Sequence, residues 1–106
     1  MSTFNFKKAG KPLEQMIVDA IIQHIKPKQI ILFGSRARDD AQARSDYDIA
    51  IEDDELTLAK LARIRADMEI VPTLLAIDVV WMNRAAEILR QRILNEGKIL
   101  YERQQD

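Results

Sequence analysis

The sequence contains no cysteine and only one histidine, His24. The lack of cysteine excludes disulfide frameworks, thiolate zinc fingers and thiol catalysis, and it favours a reducing compartment, so we expect a cytoplasmic protein. A single histidine argues against a Ser-His-Asp triad and against a metal site built from several histidines. Any metal or catalytic chemistry must therefore rest on other side chains.

Neither an excess of charge nor a long apolar run is present. The 16 basic and 17 acidic side chains leave a net charge of −1, so we expect no direct binding of nucleic acid. No apolar run approaches the roughly 18 residues that a membrane span requires, and residues 1–11 lack the apolar segment of a signal peptide. We therefore expect no membrane association.

What is present is the composition of one globular domain. The 106 residues are 47% hydrophobic and 31% charged, which is the ordinary balance for a chain that folds around a single core. Residues 1–11 are polar, and we expect them to form a loose N-terminal arm. Residues 12–106 are expected to form the domain.

The hydrophobic pattern alternates helices with strands. Apolar residues at helical spacing predict a helix that begins at Pro12 and ends before Pro27, a second helix that begins near Leu58 and ends before Pro72, and a third over 85–96 with Gly97 at its C-cap. Short apolar runs predict strands at 29–33, 46–51, 74–82 and 98–101. Residues 36–45 are predicted to be an exposed loop or a short helical turn. This order implies an α/β domain with helices packed on a small mixed sheet.

Several local expectations follow from the same pattern. The third helix is expected to bury four side chains: Ile88, Leu89, Ile93 and Leu94. The acidic residues 52–55 are expected near the positive end of the dipole of the second helix. We expect His24 to be a partly buried structural residue, Tyr47 to pack in the core, and Trp81 and Met82 to belong to the core as well.

Three aspartates lie in predicted strands. Asp46 and Asp48 share one strand face, so their side chains emerge about 6.6 Å apart. At an effective dielectric near 20, two such charges repel by roughly 2.5 kcal/mol, and strand interiors also disfavour Asp. A cation between them would offset the repulsion, and oxygen-only ligands select a hard ion such as Mg²⁺. Asp78 is the expected third ligand or base if its strand lies beside the second. The alternative is a solvated sheet face with chance acids.

Gly34 and Ser35 follow the first strand and offer what a phosphate group needs. They combine close backbone approach, a free N–H and a hydroxyl, although a plain tight turn would use the same residues. Three arginines, Arg36, Arg38 and Arg44, could hold triphosphate oxygens, or they could be solubilising surface charges. A triphosphate can approach three carboxylates only with divalent metal between them. The three aspartates and the Gly34-Ser35 turn together are typical of two-metal phosphoryl or nucleotidyl transfer.

These residues resemble a known signature. The segments Phe-Gly-Ser-Arg-Ala-Arg at 33–38 and Ser-Asp-Tyr-Asp-Ile-Ala at 45–50 are similar to the motif of the minimal nucleotidyltransferases (MNT), small members of the DNA polymerase β superfamily. The resemblance extends along the chain, because Asp78 sits where that family carries its third carboxylate and the ending 97–101 is also similar. One departure is Asp39, at a position where relatives often have Gly.

The resemblance implies a polymerase β-like nucleotidyltransferase fold that uses Mg²⁺ and ATP. Such stand-alone chains are commonly antitoxins paired with a HEPN-domain RNase toxin, which they neutralise by transferring AMP to a toxin tyrosine. The implied roles are phosphate binding by Gly34 and Ser35, with Arg36 as a clamp. The implied metal ligands are Asp46 and Asp48, and Asp78 is implied to be a third ligand or the base.

Two alternatives remain at the level of sequence. A non-catalytic antitoxin could keep this fold and block its toxin by contact alone. Nucleotidyl transfer to a small molecule is the other, although no second domain is apparent to hold such an acceptor. The complete motif of Gly34, Ser35, Asp46, Asp48 and Asp78 favours the enzyme.

Overall fold

A computed structural model of the protein describes residues 12–38 and 46–104. The predicted arm at 1–11 lies outside the described residues, as do Asp39 and Arg44. Within the described ranges the elements follow in a fixed order: α1 (Leu13–Ile22), β1 (Gln29–Phe33), β2 (Tyr47–Glu52), α2 (Leu58–Ile70), β3 (Ile77–Trp81), a 3-10 helix (Met82–Arg84), α3 (Glu87–Glu96) and β4 (Lys98–Glu102).

The four strands form one mixed sheet in the order β3-β2-β1-β4. β1 pairs antiparallel with both β2 and β4, whereas β2 pairs parallel with β3. The parallel pair is connected through α2, because parallel neighbours require a long crossover. The predicted α/β class with a small mixed sheet is confirmed, and β4 lies at an edge as expected.

The strand and helix bounds differ from the prediction mainly at the ends. β1 has the predicted bounds, and β2 begins one residue later than predicted. β3 is shorter than the predicted 74–82, because the side chain of Thr73 accepts a hydrogen bond from the Leu75 N–H at 3.1 Å and holds a turn before the strand. The residues that follow Trp81 form the 3-10 helix, and α1 already ends at Ile22.

Each face of the sheet carries its own apolar cluster. On one face, α1 and α2 cover strand side chains that include Ile30, Tyr47, Ile49 and Val79. On the opposite face lie Ile31, Phe33, Ala50, Met82 and Ile93, of which Ile93 belongs to α3. The packing of Tyr47 and Met82 is as predicted, and half-buried Trp81 packs against the first cluster. Side chains alternate along a strand. Asp48, two positions before Ala50 on β2, therefore faces the α3 side as well.

The predicted buried face of α3 is half wrong. Ile93 is fully buried and Leu89 packs partly buried beside it, but Ile88 and Leu94 are 87% and 57% exposed. Successive residues turn by about 100° around a helix, so these two lie well off the line through Leu89 and Ile93. The helix packs mainly on β1 and buries only this narrow line of side chains.

The acidic residues 52–55 lie before the start of α2. The N-cap of α2 is Thr57, whose side chain accepts a hydrogen bond from the Lys60 N–H at 3.1 Å. Asp54 pairs with Lys28 at 2.8 Å, and buried Asp53 accepts from the Glu55 N–H at 3.3 Å. The effect of these charges on the dipole of α2 stays a prediction.

His24 has the structural role that was predicted. Its Nε2 atom lies 2.6 Å from Asp67 Oδ2, and the two side chains are 18% and 15% exposed. The contact joins the chain after α1 to α2. None of the helices in the described ranges is long and apolar enough to cross a membrane.

Candidate active site

The site is organised around two aspartates on neighbouring strands. In the parallel register of β2 and β3, Asp48 is paired with Asp78. Both side chains face the α3 side of the sheet, because Ala50 and Val80, two positions further along each strand, pack in the α3-side cluster. Ile77 and Val79 belong to the opposite cluster. The expectation that the third strand lies beside the second is confirmed.

Burial and neighbouring charges raise the pKa of Asp48. Partial burial is the largest cause, and the negative charges of Asp78 and Asp46 add to it. Glu96 raises the pKa further, whereas the positive charge of Arg92 opposes these effects. Asp46 is exposed and immediately precedes β2. Asp46 and Asp78 are therefore close enough to Asp48 to disfavour its ionisation.

Gly34 brings the predicted phosphate turn against Asp48. Its φ of 77° is left-handed, a conformation that glycine adopts without steric cost. A Cβ at this position would also collide with the Asp48 carboxylate oxygen Oδ2. The approach is a consequence of register, because Phe33, the residue before Gly34, pairs with Asp48 across β1 and β2. Ser35 follows half-buried in the same turn.

The N–H of Gly34 is engaged within the protein. It donates a hydrogen bond to Glu96 Oε1 at 3.0 Å. The Nη1 atom of Arg38 donates to both carboxylate oxygens of Glu96, at 3.1 and 3.0 Å. Arg92 Nε donates to Oε1 at 3.1 Å. A carboxylate of the protein thus occupies one donor of the turn that is predicted to bind phosphate.

Glu96 was not predicted from the sequence, although a signal for it was present. It is the last residue of α3, where a negative charge opposes the helix dipole and is unfavourable for the helix itself. Gly97 follows as the predicted C-cap. A Cβ on Gly97 would meet the Ile31 side chain and the carbonyl of Ile93, so glycine is needed there for close packing of α3 on β1.

The arginines are placed differently from one another. The Arg36 guanidinium lies over the ring of Tyr47, 4.6 Å from its centroid, and Tyr47 packs on the face opposite Asp48. Arg38 holds Glu96, as described above, and Arg44 lies outside the described residues. The role of Arg36 as a phosphate clamp stays a prediction.

The donor chemistry fits a hard divalent cation. The predicted ligands offer only carboxylate oxygens. The charges of Asp78 and Asp46 add to burial in raising the pKa of Asp48, and a bound cation relieves repulsion of this kind. Within 12–38 and 46–104, no group of three or more His, Cys, Asp or Glu side chains is arranged to hold a metal ion. The assignment of Asp46, Asp48 and Asp78 as ligands stays a prediction.

Comparison with known proteins now identifies the class. Residues 15–106 match the family described as Polymerase beta, Nucleotidyltransferase. The chain belongs to this family, as the resemblance in its sequence predicted, and the match takes in every residue of the site described above.

Particular relatives are similar over most of this chain. The protein adenylyltransferase MntA of Aphanizomenon flos-aquae (strain 2012/KM1/D3) is 29% identical over an alignment of 85 residues, and the match covers 71% of this chain and 57% of that protein. The chain thus spans little more than half the length of this curated relative. A crystal structure of a toxin-antitoxin with AMP-PNP is similar with a TM-score of 0.72 and 26% identity, over 86% of this chain and 74% of that chain.

A third relative shows the shared fold. It is a structure of a tri-AMPylated Shewanella oneidensis HEPN toxin in complex with MNT antitoxin, with a TM-score of 0.66 and 24% identity. The match covers 86% of this chain and 71% of that chain. The mixed sheet and its helices are therefore an arrangement that this chain shares with solved members of toxin-antitoxin complexes.

Proposed function

We propose that the protein is an antitoxin that transfers AMP from ATP, with Mg²⁺, to a tyrosine hydroxyl of a partner HEPN RNase toxin in the cytoplasm. The observation that carries the proposal is the pairing of Asp48 with Asp78 beside the Gly34 turn. Family membership supports nucleotidyl transfer, and the similarity to a protein adenylyltransferase and to a toxin-antitoxin with AMP-PNP supports the donor and the partner.

The chain's own residues divide the work of transfer. Ser35, in the turn that Gly34 holds against Asp48, receives the phosphates of ATP. Asp46 and Asp48 would hold Mg²⁺, which when bound offsets negative charge on the phosphates. Asp78 is exposed on the edge strand β3, where an acceptor hydroxyl can reach it.

The transfer joins AMP to the tyrosine and releases pyrophosphate. The tyrosine oxygen attacks the α-phosphorus of ATP, and the bond from that phosphorus to the bridging oxygen of pyrophosphate breaks. The tyrosine proton passes to the Asp78 carboxylate, which acts as general base. Pyrophosphate leaves, and AMP remains on the tyrosine oxygen.

A protein acceptor suits the surroundings of Asp78. Asp78 lies exposed on β3, the edge strand of the sheet, beside its register partner Asp48. A folded partner that docks on this open edge would enclose the acceptor hydroxyl beside Asp78.

The test is to incubate the purified protein with ATP, Mg²⁺ and the protein encoded by the neighbouring gene, and to weigh that neighbour by intact mass spectrometry. We expect a gain of AMP units with the wild type and none with Asp46→Asn/Asp48→Asn. Asp54→Asn is the matched control, because Asp54 lies just beyond β2 but pairs with Lys28 outside the site. No mass gain with the wild type contradicts the proposal.

The same experiment tests the alternative that the protein is a non-catalytic antitoxin. That alternative is favoured by one observation, namely that Glu96 occupies the Gly34 N–H. If the neighbour is inhibited equally by the wild type and by Asp46→Asn/Asp48→Asn with no change of mass, the protein is an antitoxin that acts by binding. If a small molecule and not the neighbour gains AMP, the acceptor has been assigned wrongly.

A further inference from the structure

Glu96 joins three separate parts of the chain at one carboxylate. Its oxygens accept from the backbone N–H of Gly34, from Arg38 in the same turn and from Arg92 on α3. The side chain is only 18% exposed. A carboxylate with several charge-assisted donors in a partly buried place is held in one orientation more firmly than a surface ion pair.

The charge of Glu96 is maintained by these donors. Burial alone would raise its pKa, but the hydrogen bonds from Arg38, Gly34 and Arg92 outweigh burial and hold the pKa below its ordinary value. The charge does not serve the helix, because it lies at the negative end of the α3 dipole. Its favourable interactions are those with the turn and with the two arginines.

The backbone that carries Glu96 is fixed against the sheet. Ile93 is fully buried in the α3-side cluster, and Gly97 packs so closely on Ile31 that no side chain fits there. The carboxylate is therefore a fixed point between β1 and the end of α3. The turn it holds contains Gly34, whose Cα lies against the Asp48 carboxylate.

We propose that Glu96 is a positioning residue for nucleotidyl transfer, which sets the conformation of the Gly34-Ser35 turn and so the contact of that turn with Asp48. The inference rests on the proposed function. It assigns Arg38 and Arg92 to the support of Glu96, and it leaves phosphate binding to Ser35 and to residues other than Gly34. Loss of the carboxylate frees the turn from α3, so nucleotide binding weakens although no residue that touches nucleotide has changed.

The test compares Glu96→Gln with the matched control Glu87→Gln. Glu87 lies on the same helix, is exposed, and accepts a hydrogen bond only from Gln91 among the contacts observed for its carboxylate. Calorimetry measures the Kd of Mg-ATP, kinetics with the acceptor give KM and kcat, and NMR measures hydrogen exchange at the Gly34 amide. For Glu96→Gln we expect a Kd and a KM for ATP about tenfold higher, a smaller fall in kcat, and faster exchange at Gly34. Glu87→Gln should equal the wild type.

A second variant covers the case in which Glu96→Gln fails to fold. Arg38→Gln removes the two-point contact but leaves the Gly34 hydrogen bond, so it should raise the Kd in the same direction by a smaller factor. A lower Kd in either variant would mean that Glu96 competes with phosphate for the Gly34 N–H, which overturns the inference. An unchanged Kd overturns it as well.

The two proposals fail in distinguishable ways. If the wild type binds and transfers nucleotide while Glu96→Gln behaves identically, only the positioning role is wrong. If the wild type binds no Mg-ATP, the proposed function fails and the positioning role falls with it. Exchange at the Gly34 amide reports the contact in either case, because that measurement needs no nucleotide.

Discussion

Asp48 and Asp78 are register partners on two parallel strands, and this pairing places two carboxylates side by side on the sheet face that α3 partly covers. The relation depends on the crossover through α2, which returns the chain parallel to β2. Since neighbouring parallel positions share a face, neither carboxylate can turn to the apolar α1 side without shifting the register. The fold therefore maintains a like-charge pair that is unfavourable for folding.

The first prediction concerns the stability cost of ionising the partly buried Asp48. The pKa of Asp48 is raised in the folded protein, so its ionisation weakens folding: stability falls as pH rises from below its ordinary value through the raised folded value. Without metal, Asp48→Asn should unfold at a higher urea concentration than the wild type at neutral pH. The difference should vanish in acid, where both proteins carry a neutral group. Equal midpoints at neutral pH contradict this expectation.

The second prediction concerns divalent metal. If Asp46 and Asp48 are ligands, saturating Mg²⁺ should raise the Tm of the wild type, since a ligand that binds only the folded state stabilises it. The Tm of Asp46→Asn/Asp48→Asn should not respond, while Asp54→Asn should respond as the wild type does. A similar rise in the double variant would place the metal elsewhere.

Asp78→Asn is the third prediction. Asp78 is exposed, so the variant should keep its fold and its Kd for ATP. If Asp78 is the general base, the rate of AMP transfer should fall by roughly 10²-fold or more. Single-turnover kinetics measure this rate without interference from product release. A wild-type rate would reassign Asp78 to structure.

The fourth prediction concerns Gly34. Gly34→Ala places a Cβ in a left-handed conformation, at a cost of roughly 1–2 kcal/mol, and against the Asp48 carboxylate. Unfolding in urea should show this loss. In the Asp48→Ala background the clash is absent, so the added cost of Gly34→Ala should be smaller. Equal costs in both backgrounds would show that the contact between a Cβ at position 34 and the Asp48 carboxylate does not affect the free energy of unfolding.

The fifth prediction separates stability from activity. His24→Ala removes the partner of the largely buried Asp67 and should lower the free energy of unfolding by about 1–3 kcal/mol. In the Asp67→Ala background the same change should cost less, because the contact is already lost. AMP transfer by folded His24→Ala should match the wild type, and a large fall in kcat would contradict the structural role.

The sequence was sufficient for the class of fold and for most of the candidate site. Short apolar runs bounded by Pro and Gly predicted the four strands, and Asp78 was expected beside Asp46 and Asp48 on the condition that its strand lay next to the second. The sequence did not predict which side chains of α3 are buried. Helical spacing assigned Ile88 and Leu94 to the core, although both are exposed. Spacing does not report how wide a surface the helix meets.

The largest omission was Glu96. Its partners in the turn, Gly34 and Arg38, are far away along the chain, so no local pattern connects them. The unfavourable position of a carboxylate at a helix C-terminus was the one available signal. These tertiary contacts also engage the N–H of Gly34 within the protein.

The most direct measurement of the central claim follows AMP incorporation and loss of RNase activity in the same samples of the partner over time. The protein, ATP and Mg²⁺ are mixed with the partner, and each sample is divided between intact mass spectrometry and an RNA cleavage assay. We expect the two curves to coincide for the wild type, and both to be flat for Asp46→Asn/Asp48→Asn. Immediate and equal inhibition by both proteins, with an unmodified partner, would contradict the account.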